Sequence, residues 1–270
     1  MEKGQGAVYL FCFARSGLVN GIEGTGVDGR PALSLLRRFP DLCAVTSEVP
    51  LEDFCGPAAE LRMQDLAWVG PRALLHEAVV EEVMRQSPVL PARFGTLFSS
   101  QESLREFLDD HREAISQFLQ WVSDQEEWSI KGLLDRKHAG QDFMSKSLAA
   151  QQEELAALPP GTRYFHAQRI RSAALKELSL WLNEACQQVA SELQEVASDF
   201  RECPLVPCEP PESGSEVVLN WAFLLRKGDT AAFRLRVAKM NEKHASRGLA
   251  FELSGPWPPY RFVPPLSVET

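Results

Sequence analysis

The sequence predicts an α+β protein. In its first half, runs rich in β-branched and aromatic residues alternate with amphipathic helical patterns in the order β-β-α-β-α-β. Its second half contains a long helical pattern whose apolar residues are spaced alternately three and four apart. The chain has 270 residues, of which 44% are hydrophobic and 24% charged, and this length and composition favour two globular domains. We place the domains at residues 1–136 and 137–270.

The first half begins with two strands. Residues 7–14, AVYLFCFA, form the first, and residues 42–49, LCAVTSEV, form the second. The second strand is expected to stop before Pro50, because proline cannot donate a hydrogen bond to a sheet ladder. The glycine-rich residues 16–31 between the strands are expected to form a loop.

Two helices and two further extended segments follow. The segment at 88–98 lies between the helices and is expected to be extended, because Pro88 and Pro91 forbid a helix there. The first helix is expected to open at Gly70 and Pro71, because proline is favoured in a first helical turn. Its buried stripe is Leu75, Ala78, Val79 and Val83. Ser99 and Glu102 predict a capping box, in which each side chain bonds the other residue's free backbone N–H. The second helix then has apolar residues at 104, 107, 108, 115, 118, 119 and 122. A strand at 126–135 completes a sheet with helices on one face, which is a ferredoxin-like arrangement.

The second half is dominated by helices. Residues from about 138 to 157 are helical in composition, and a long helix is expected from about 162 to 200. Its apolar stripe is Leu175, Leu178, Leu182, Ala185, Val189, Leu193, Val196 and Phe200. This spacing predicts that the two helices pair as a hairpin.

The end of the chain returns to mixed elements. A loop rich in proline, glycine and serine at 203–216 precedes a strand at 217–225. Asp229 is expected to cap a helix that runs to about residue 246. The last strand covers residues 249–254.

No catalytic, cofactor or metal site is predicted. Gly24 to Gly29 spell G-x-G-x-x-G, but the run lies about nine residues after a strand and opens no long helix, so a loop is favoured over a dinucleotide site. The five histidines are far apart and show no HExxH pattern, which argues against zinc. Adjacent acidic residues such as Asp109 and Asp110 diverge on a helix, so they are interpreted as a solvated face.

Charge, hydropathy and cysteine content restrict the partners and the cellular location that we expect. The formal net charge of −9 and a pI of about 5.2 argue against nucleic acid as a partner. The sequence contains no run of about 18 uncharged apolar residues, so it predicts no membrane-spanning helix. We interpret residues 7–14 as a strand rather than a signal peptide, and hence expect a cytoplasmic protein. The six cysteines are expected to be free thiols, with a Cys203–Cys208 disulfide as the less favoured alternative.

Two groups of residues are candidates for partner binding. On the helix at 229–246, Arg236, Lys239 and Lys243, with Arg247 just beyond it, form a basic stripe. This stripe lies beside a cluster of Phe233, Val237, Met240 and His244. Two interpretations stay open, a solvated basic face and a docking stripe for an acidic partner helix.

The second group is the C-terminal segment GPWPPYRF, in which Trp257 and Tyr260 stand among prolines. Prolines fix the backbone and remove hydrogen-bond donors, so this segment forms a rigid aromatic corner. Each ring could pack on a neighbouring core as a plug, or stay exposed as a hot spot for binding a partner. Both roles can also occur together, with one ring buried and the other exposed.

The sequence resembles the gas vesicle protein F/L family. The similarity rests on VYLFCF near the start, LPARFGTLF at 90–98, EWSIK at 127–131 and GPWPPYRF at 255–262, in that order. It covers about residues 7 to 263. The resemblance implies two modified ferredoxin-like α+β domains, the second elaborated with a long helical hairpin.

The resemblance also implies a function. Family members are accessory proteins of gas vesicles, and the similarity implies a cytoplasmic, vesicle-associated, non-enzymatic protein. It would bind the small apolar major shell protein, prevent its aggregation and support assembly, with other accessory proteins as further partners. We expect the C-terminal half, with a net charge of −1 against −8 for residues 1–136, to contribute more of this binding. The alternative function is a small-ligand-binding regulatory or enzymatic protein, because ferredoxin-like folds serve both classes.

Overall fold

The structure, a computed structural model, describes residues 6–30, 33–152, 156, 158–205 and 214–266. The chain divides into two compact units. The first consists of Met1–Glu127 and Pro256–Thr270, and the second is Trp128–Gly255. The division therefore falls before the 136/137 boundary expected from the sequence, and the C-terminal segment belongs with the first unit.

The first unit contains an antiparallel sheet. Its strands are β1 (Gly6–Arg15), β2 (Leu33–Arg37), β3 (Leu42–Pro50), β4 (Val89–Pro91) and β5 (Leu97–Phe98). Their order is β2-β3-β1-β4, and β5 also pairs with β1. The first strand of the sequence is thus central in this sheet.

β1 contains a bulge, and both of its faces are buried. The register with β3 shifts between Leu10 and Cys12, so one extra residue interrupts the alternation of side chains. Tyr9 before the shift and Phe11 within it share one core cluster with Cys12 after it. Phe13 instead stacks on Phe107, with ring centroids 6.0 Å apart. The strand therefore reads as a continuous apolar run.

The helices of the first unit are α1 (Leu51–Phe54), α2 (Pro57–Gln64), α3 (Leu66–Gln86) and α4 (Gln101–Trp121). α3 packs Val79, Val80 and Val83 into the cluster that contains Tyr9 and Phe11. α4 contributes Phe107 to the face that Phe13 occupies. The two long helices therefore contact opposite faces of β1, and the expectation that both cover one face was wrong.

Both predicted helix starts in this unit need correction. α3 begins at Leu66, because the side chain of Asp65 accepts the backbone N–H of Ala67, so Pro71 lies inside the helix. The capping box at α4 is formed by Ser100 and Ser103, whose side chains each accept the other's backbone N–H. A serine hydroxyl thus replaces the glutamate expected at the third helical position.

The second unit contains the other antiparallel sheet. Its strands are β6 (Gln125–Leu134), β7 (Asp199–Glu202), β8 (Glu216–Arg226) and β9 (Leu249–Trp257), in the order β7-β8-β6-β9. The strand expected at 126–135 therefore exists but lies in the second sheet, not the first. Numbered within each unit, the strand order is second, third, first, fourth in both sheets.

Close approach within this sheet requires a glycine. A Cβ added at Gly132 in β6 would lie 2.5 Å from Cγ of Leu219, whose side chain fills that space from β8. Any larger residue at this position would displace the leucine from the core cluster that it shares with Trp221 and Phe223.

The helices of the second unit are α5 (Arg136–Ala150), α6 (Pro160–Gln194) and α7 (Thr230–His244). α6 ends before residue 200, because Asp199–Glu202 pairs with β8 as a strand. Along α6, Leu178, Ala185, Val189 and Leu193 are buried in the core cluster, whereas Leu175 is 51% exposed. α5 contacts α6, with the rings of Phe143 and Trp181 5.7 Å apart.

Asp229 occupies the position before α7, but its side chain makes no capping bond. A 3₁₀ turn at Lys227–Asp229 gives Asp229 a helical backbone (φ −94°, ψ −8°), whereas a capping side chain needs an extended one. Part of the loop at 203–216, including Cys208, lies outside the described residues. Cys12, Cys43, Cys55, Cys186 and Cys203 are free thiols.

Candidate partner-binding site

The C-terminal segment is anchored within the first unit through Tyr260. Its hydroxyl donates a hydrogen bond to Oε2 of Glu77 at 2.9 Å, and its ring centroid lies 6.5 Å from that of His76. Two residues on, Phe262 is buried with its ring 6.3 Å from Trp121. The prolines before Tyr260, Pro258 and Pro259, are buried as well. Tyr260 therefore serves mainly as a plug.

A buried polar chain lies beside this anchor. The N–H of Gly95 donates to the hydroxyl of Tyr9, which donates to Nδ1 of His76 at 2.9 Å. Nε2–H of the same imidazole donates to the carbonyl oxygen of Ala92 at 3.1 Å. Burial lowers the pKa of His76 to about 4, so the ring is neutral, as this pattern requires.

Two carboxyl groups complete the anchor. Glu127 is 3% exposed, and its Oε2 accepts the backbone N–H of Arg261 at 3.0 Å. Burial raises its pKa to about 7, and the charge of Glu77 raises it further against the opposing effect of the Arg261 contacts. Burial also raises the pKa of Glu77, although the bond from Tyr260 opposes this. Each of these polar groups is bonded within the chain, so the cluster fixes the C-terminal segment.

Trp257 differs from Tyr260 in exposure. It is the last residue of β9 and keeps 37% of its surface exposed. Trp257 is thus the more exposed of the two rings, whereas Tyr260 is partly buried. Both interpretations of this corner, a plug and a contact for a partner, stay predictions.

The basic stripe on α7 is partly occupied by partners from α6. Nη1 of Arg236 donates to the carbonyl oxygen of Glu192 at 2.6 Å and to Oε2 of Glu195 at 2.9 Å. Nζ of Lys243 lies 3.9 Å from Oε1 of Glu192. Lys239 is exposed. Two of the three cations therefore hold α7 against α6.

The apolar cluster beside the stripe is core rather than surface. Phe233, Val237, Met240 and His244 are the buried residues of α7, with exposures of 0–5%. A docking surface on this helix would therefore consist of its polar side only. The helical period was read correctly, but the apolar side faces the sheet.

The structure also exposes apolar residues that sequence reasoning missed. On α2 and α3, Leu61, Leu66 and Leu74 are 71%, 84% and 74% exposed, and Met63 is 41% exposed. The sequence does contain a signal for them, because the predicted helix has apolar residues on all of its sides and not only along the stripe expected to be buried. Val79 and Val83 of that stripe are buried as expected, whereas Ala78 is exposed.

One cavity of about 340 Å³ lies in the second unit between α6, the end of β7 and the start of β8. Apolar side chains, side-chain amides and two thiols line it: Leu182, Asn183, Cys186, Gln187, Ala190, Glu202, Cys203, Leu205, Val218, Leu219, Asn220 and Trp221. Burial raises the pKa of the Cys186 thiol, which disfavours the reactive thiolate.

Two absences hold for the described part of the chain. It contains no group of three or more His, Cys, Asp or Glu side chains placed to hold a metal ion. None of its helices is long and apolar enough to cross a membrane. The G-x-G-x-x-G run leads into β2, and a Cβ at Gly26 would lie 3.1 Å from Cβ of Ser47, so this loop packs on β3.

The fold defines a mixed α/β protein of two units, each with its own antiparallel sheet. Residues 7–264 match the family model described as "Gas vesicle synthesis protein GvpL/GvpF". The chain therefore belongs to the GvpL/GvpF family of gas vesicle proteins. Membership implies association with other gas vesicle components.

Relatives and solved structures agree with this assignment. The chain is 28% identical over 242 residues to gas vesicle protein L of Streptomyces sp. (strain CB03234), covering 88% of this chain and 85% of that protein. It is 25% identical over 266 residues to gas vesicle protein F of the same strain, covering 95% and 99%. Crystal structures of GvpF from Anabaena sp. PCC7120 and Microcystis aeruginosa share the fold, with TM-scores of 0.66 and 0.63 and identities of 19% and 18%. The first alignment covers 96% of both chains, and the second covers 96% of this chain and 99% of the other.

Proposed function

We propose that this protein is a non-enzymatic gas vesicle accessory protein that binds the small, apolar major shell protein and supports vesicle assembly. The observation that carries the proposal is the family match over residues 7–264. A strongly apolar subunit must be shielded before it assembles, because exposed apolar surface drives aggregation. Binding by an accessory protein would supply that shield in the cytoplasm, at or near the growing vesicle, together with other accessory proteins.

Exposed apolar side chains support this role. Three leucines of α2 and α3 are each more than 70% exposed, and Trp257 adds an aromatic ring at the end of β9. Burying one such leucine against a partner contributes roughly 1.5–3 kcal/mol. A surface of this kind is suited to an apolar partner, whereas a solvated surface would carry charges there.

The five residues proposed from the sequence divide into two roles. Trp257 and Lys239 are exposed, and we propose them as direct contacts with the partner. Tyr260, Arg236 and Lys243 bond groups of this chain. We propose that these three hold the contact surfaces in position.

We also propose that both units are modified ferredoxin-like domains. The shared strand order supports this, as does the helix between β8 and β9. In the second unit, α5 and α6 would form the helical hairpin that elaborates the domain, which is consistent with the contact between them. In the first unit, the loop after β1 takes the place of a helix.

The test is co-expression with the major shell protein of the same gene set. The soluble fraction of the shell protein should rise several-fold with the full-length chain, and the two should co-purify. A Trp257→Ala variant should lower this fraction, while Phe165→Ala provides a control at an exposed ring of α6, outside the C-terminal segment. If the full-length chain leaves the soluble fraction unchanged, shielding of the shell protein is refuted.

A second candidate function is binding of a small ligand in the cavity of the second unit. A volume of about 340 Å³ lies within the range of small-molecule sites, and three side-chain amides are available to orient a ligand. A metabolite library screened by thermal shift would test it. A stabilising compound whose effect is abolished by Asn183→Leu would favour this function, and a screen without stabilising compounds would count against it.

A further inference from the structure

We propose that the outward face of α2 and α3 is a docking site for an amphipathic helix of the partner, one with an apolar stripe flanked by lysine or arginine. The inference rests on the proposed function and adds to it a surface and the chemistry of the segment that is bound. It places this contact on the first unit rather than on the C-terminal half favoured by net charge.

The face is apolar along several turns. Leu66 and Leu74 of α3 are 84% and 74% exposed, and Leu61 of α2 is 71% exposed. Pro71 and Ala78 lie on the same side of α3 and are exposed too. Because residues four and eight apart lie on one side of a helix, Leu66 and Leu74 form part of a continuous strip.

Few charges lie on this strip. Between Leu66 and Val80 the only charged side chains are Arg72 and Glu77. The guanidinium of Arg72 lies 4.1 Å from the centroid of the Trp68 ring and donates to the carbonyl oxygen of the same residue. Glu77, three residues after Leu74, borders the strip, and its carboxyl group accepts the hydroxyl of Tyr260. The strip itself is therefore apolar, with one hydrogen-bonded carboxyl group at its edge.

The fold of the unit does not require this strip to be apolar. The opposite side of α3 already supplies the core through His76, Val79, Val80 and Val83. An amphipathic surface helix normally has charged or polar residues on the side away from the core, whereas a helix that is apolar all round is normally buried. α3 therefore has the composition of a helix with protein on both sides.

The surroundings of the strip are acidic, and this charge indicates which residues should flank the apolar stripe of the partner helix. Residues 51–86 contain seven Asp or Glu and three Arg, so their net charge is 3 − 7 = −4 with His76 neutral. The guanidinium of Arg62 is 2.8 Å from a carboxylate oxygen of Asp53, and Arg85 pairs with Glu82. With the third arginine over a ring, the unpaired charge at the rim is negative. Complementarity therefore calls for cations beside the partner's apolar stripe.

A second copy of this chain fits the face poorly. In a symmetric contact, each copy would place the same acidic rim against the other, and like charges at a rim are unfavourable. A basic amphipathic helix buries the same leucines and gains attraction at the rim. We therefore assign the face to such a helix.

The experiment compares full-length variants in co-expression and pull-down with the major shell protein. Leu74→Glu and, separately, Leu66→Gln should each lower shell protein retention at least about tenfold, the change expected on loss of one central apolar contact. Leu180→Glu is the matched control, since Leu180 is 54% exposed on α6, and should retain binding. Unchanged thermal midpoints for all three, expected for exposed positions, would exclude unfolding as the cause.

The salt dependence of retention and the oligomeric state of the chain distinguish the possible results of this experiment. Retention by the unaltered chain should fall between about 0.05 and 0.5 M salt, because rim attraction is screened. If the unaltered chain retains the shell protein and both α3 variants do so equally well, the docking site is refuted and the proposed function stands. If the unaltered chain retains nothing, the proposed function itself fails. A concentration-dependent dimer that Leu74→Glu abolishes would assign the face to self-contact and overturn the inference.

Discussion

The buried carboxyl group that anchors the C-terminal segment makes a quantitative prediction about pH. Glu127 is 3% exposed and has a pKa of about 7 in the folded chain, against its usual 4.5. Because the folded value is the higher one, the folded state binds the extra proton. This contribution to stability is therefore fully present below about pH 4.5 and is lost as the pH rises through 7.

The magnitude follows from the size of the shift. Each pKa unit is worth about 1.4 kcal/mol, so the full effect is ~3 kcal/mol, of which about 2.5 kcal/mol falls between about pH 5 and pH 8. Glu127→Gln removes the titration and keeps an oxygen that accepts the N–H of Arg261. Relative to the unaltered chain, the variant should therefore gain about 2.5 kcal/mol of unfolding free energy over this range.

Urea unfolding of both proteins at pH 5 and pH 8, followed by tryptophan fluorescence, measures this gain. Glu252→Gln is the control, since it makes the same substitution at a position that is exposed on β9. If Glu127→Gln differs from the unaltered chain by the same amount at pH 5 and pH 8, then Glu127 is not the buried, protonated group that the structure indicates.

Four further predictions concern packing and hydrogen bonding, each measured as the free energy of unfolding in urea. Gly132→Ala should destabilise by roughly 1–3 kcal/mol, because its Cβ would meet a leucine side chain of β8. Gly140→Ala, within α5 and with nothing near its Cβ, should stabilise by roughly 0.5–1 kcal/mol, and equal signs for the two glycines would contradict the packing. Tyr260→Phe should cost about 1.5–3 kcal/mol, more at pH 8 than at pH 5, because the lost bond favours the ionised form of Glu77; no change would show that the hydroxyl is dispensable. Ser100→Ala should cost about 1 kcal/mol through loss of the cap on α4, and an unchanged midpoint would show that the cap is not formed.

Local patterns in the sequence were sufficient for the elements that one periodicity defines. The 3.6-residue period of α4 placed residues 104, 107, 108, 115, 118, 119 and 122 inward. Six of them are buried, and Phe107 is partly buried. The strands at β1, β3, β8 and β9 were found from their composition. The motifs near both ends of the chain identified the family, which the match over residues 7–264 confirms.

The candidate site was only partly accessible from sequence. Trp257 and Tyr260 were recognised, but which ring faces outward depends on the bond from Tyr260 to Glu77, 183 residues away. The sequence predicts Arg236 and Lys243 as a solvated basic face or a docking stripe, because it does not show that their acceptors, Glu192 and Glu195, come from the end of α6. The exposure of Leu66 and Leu74 was missed, since apolar residues on all sides of a helix do not reveal which side stays exposed.

The sequence by itself determined the approximate positions of the long helices and of β1, β3, β6, β8 and β9, because propensity, periodicity and capping act over a few neighbouring residues. It determined too that the chain is a gas vesicle protein of the F/L type. Only the tertiary structure decided that β6 joins the second sheet and that the C-terminal segment belongs with the first unit. It also decided that burial raises the pKa of Glu127 to about 7. Strand pairing, burial and electrostatic environment depend on residues far apart in the chain, and no local pattern records which of them will meet.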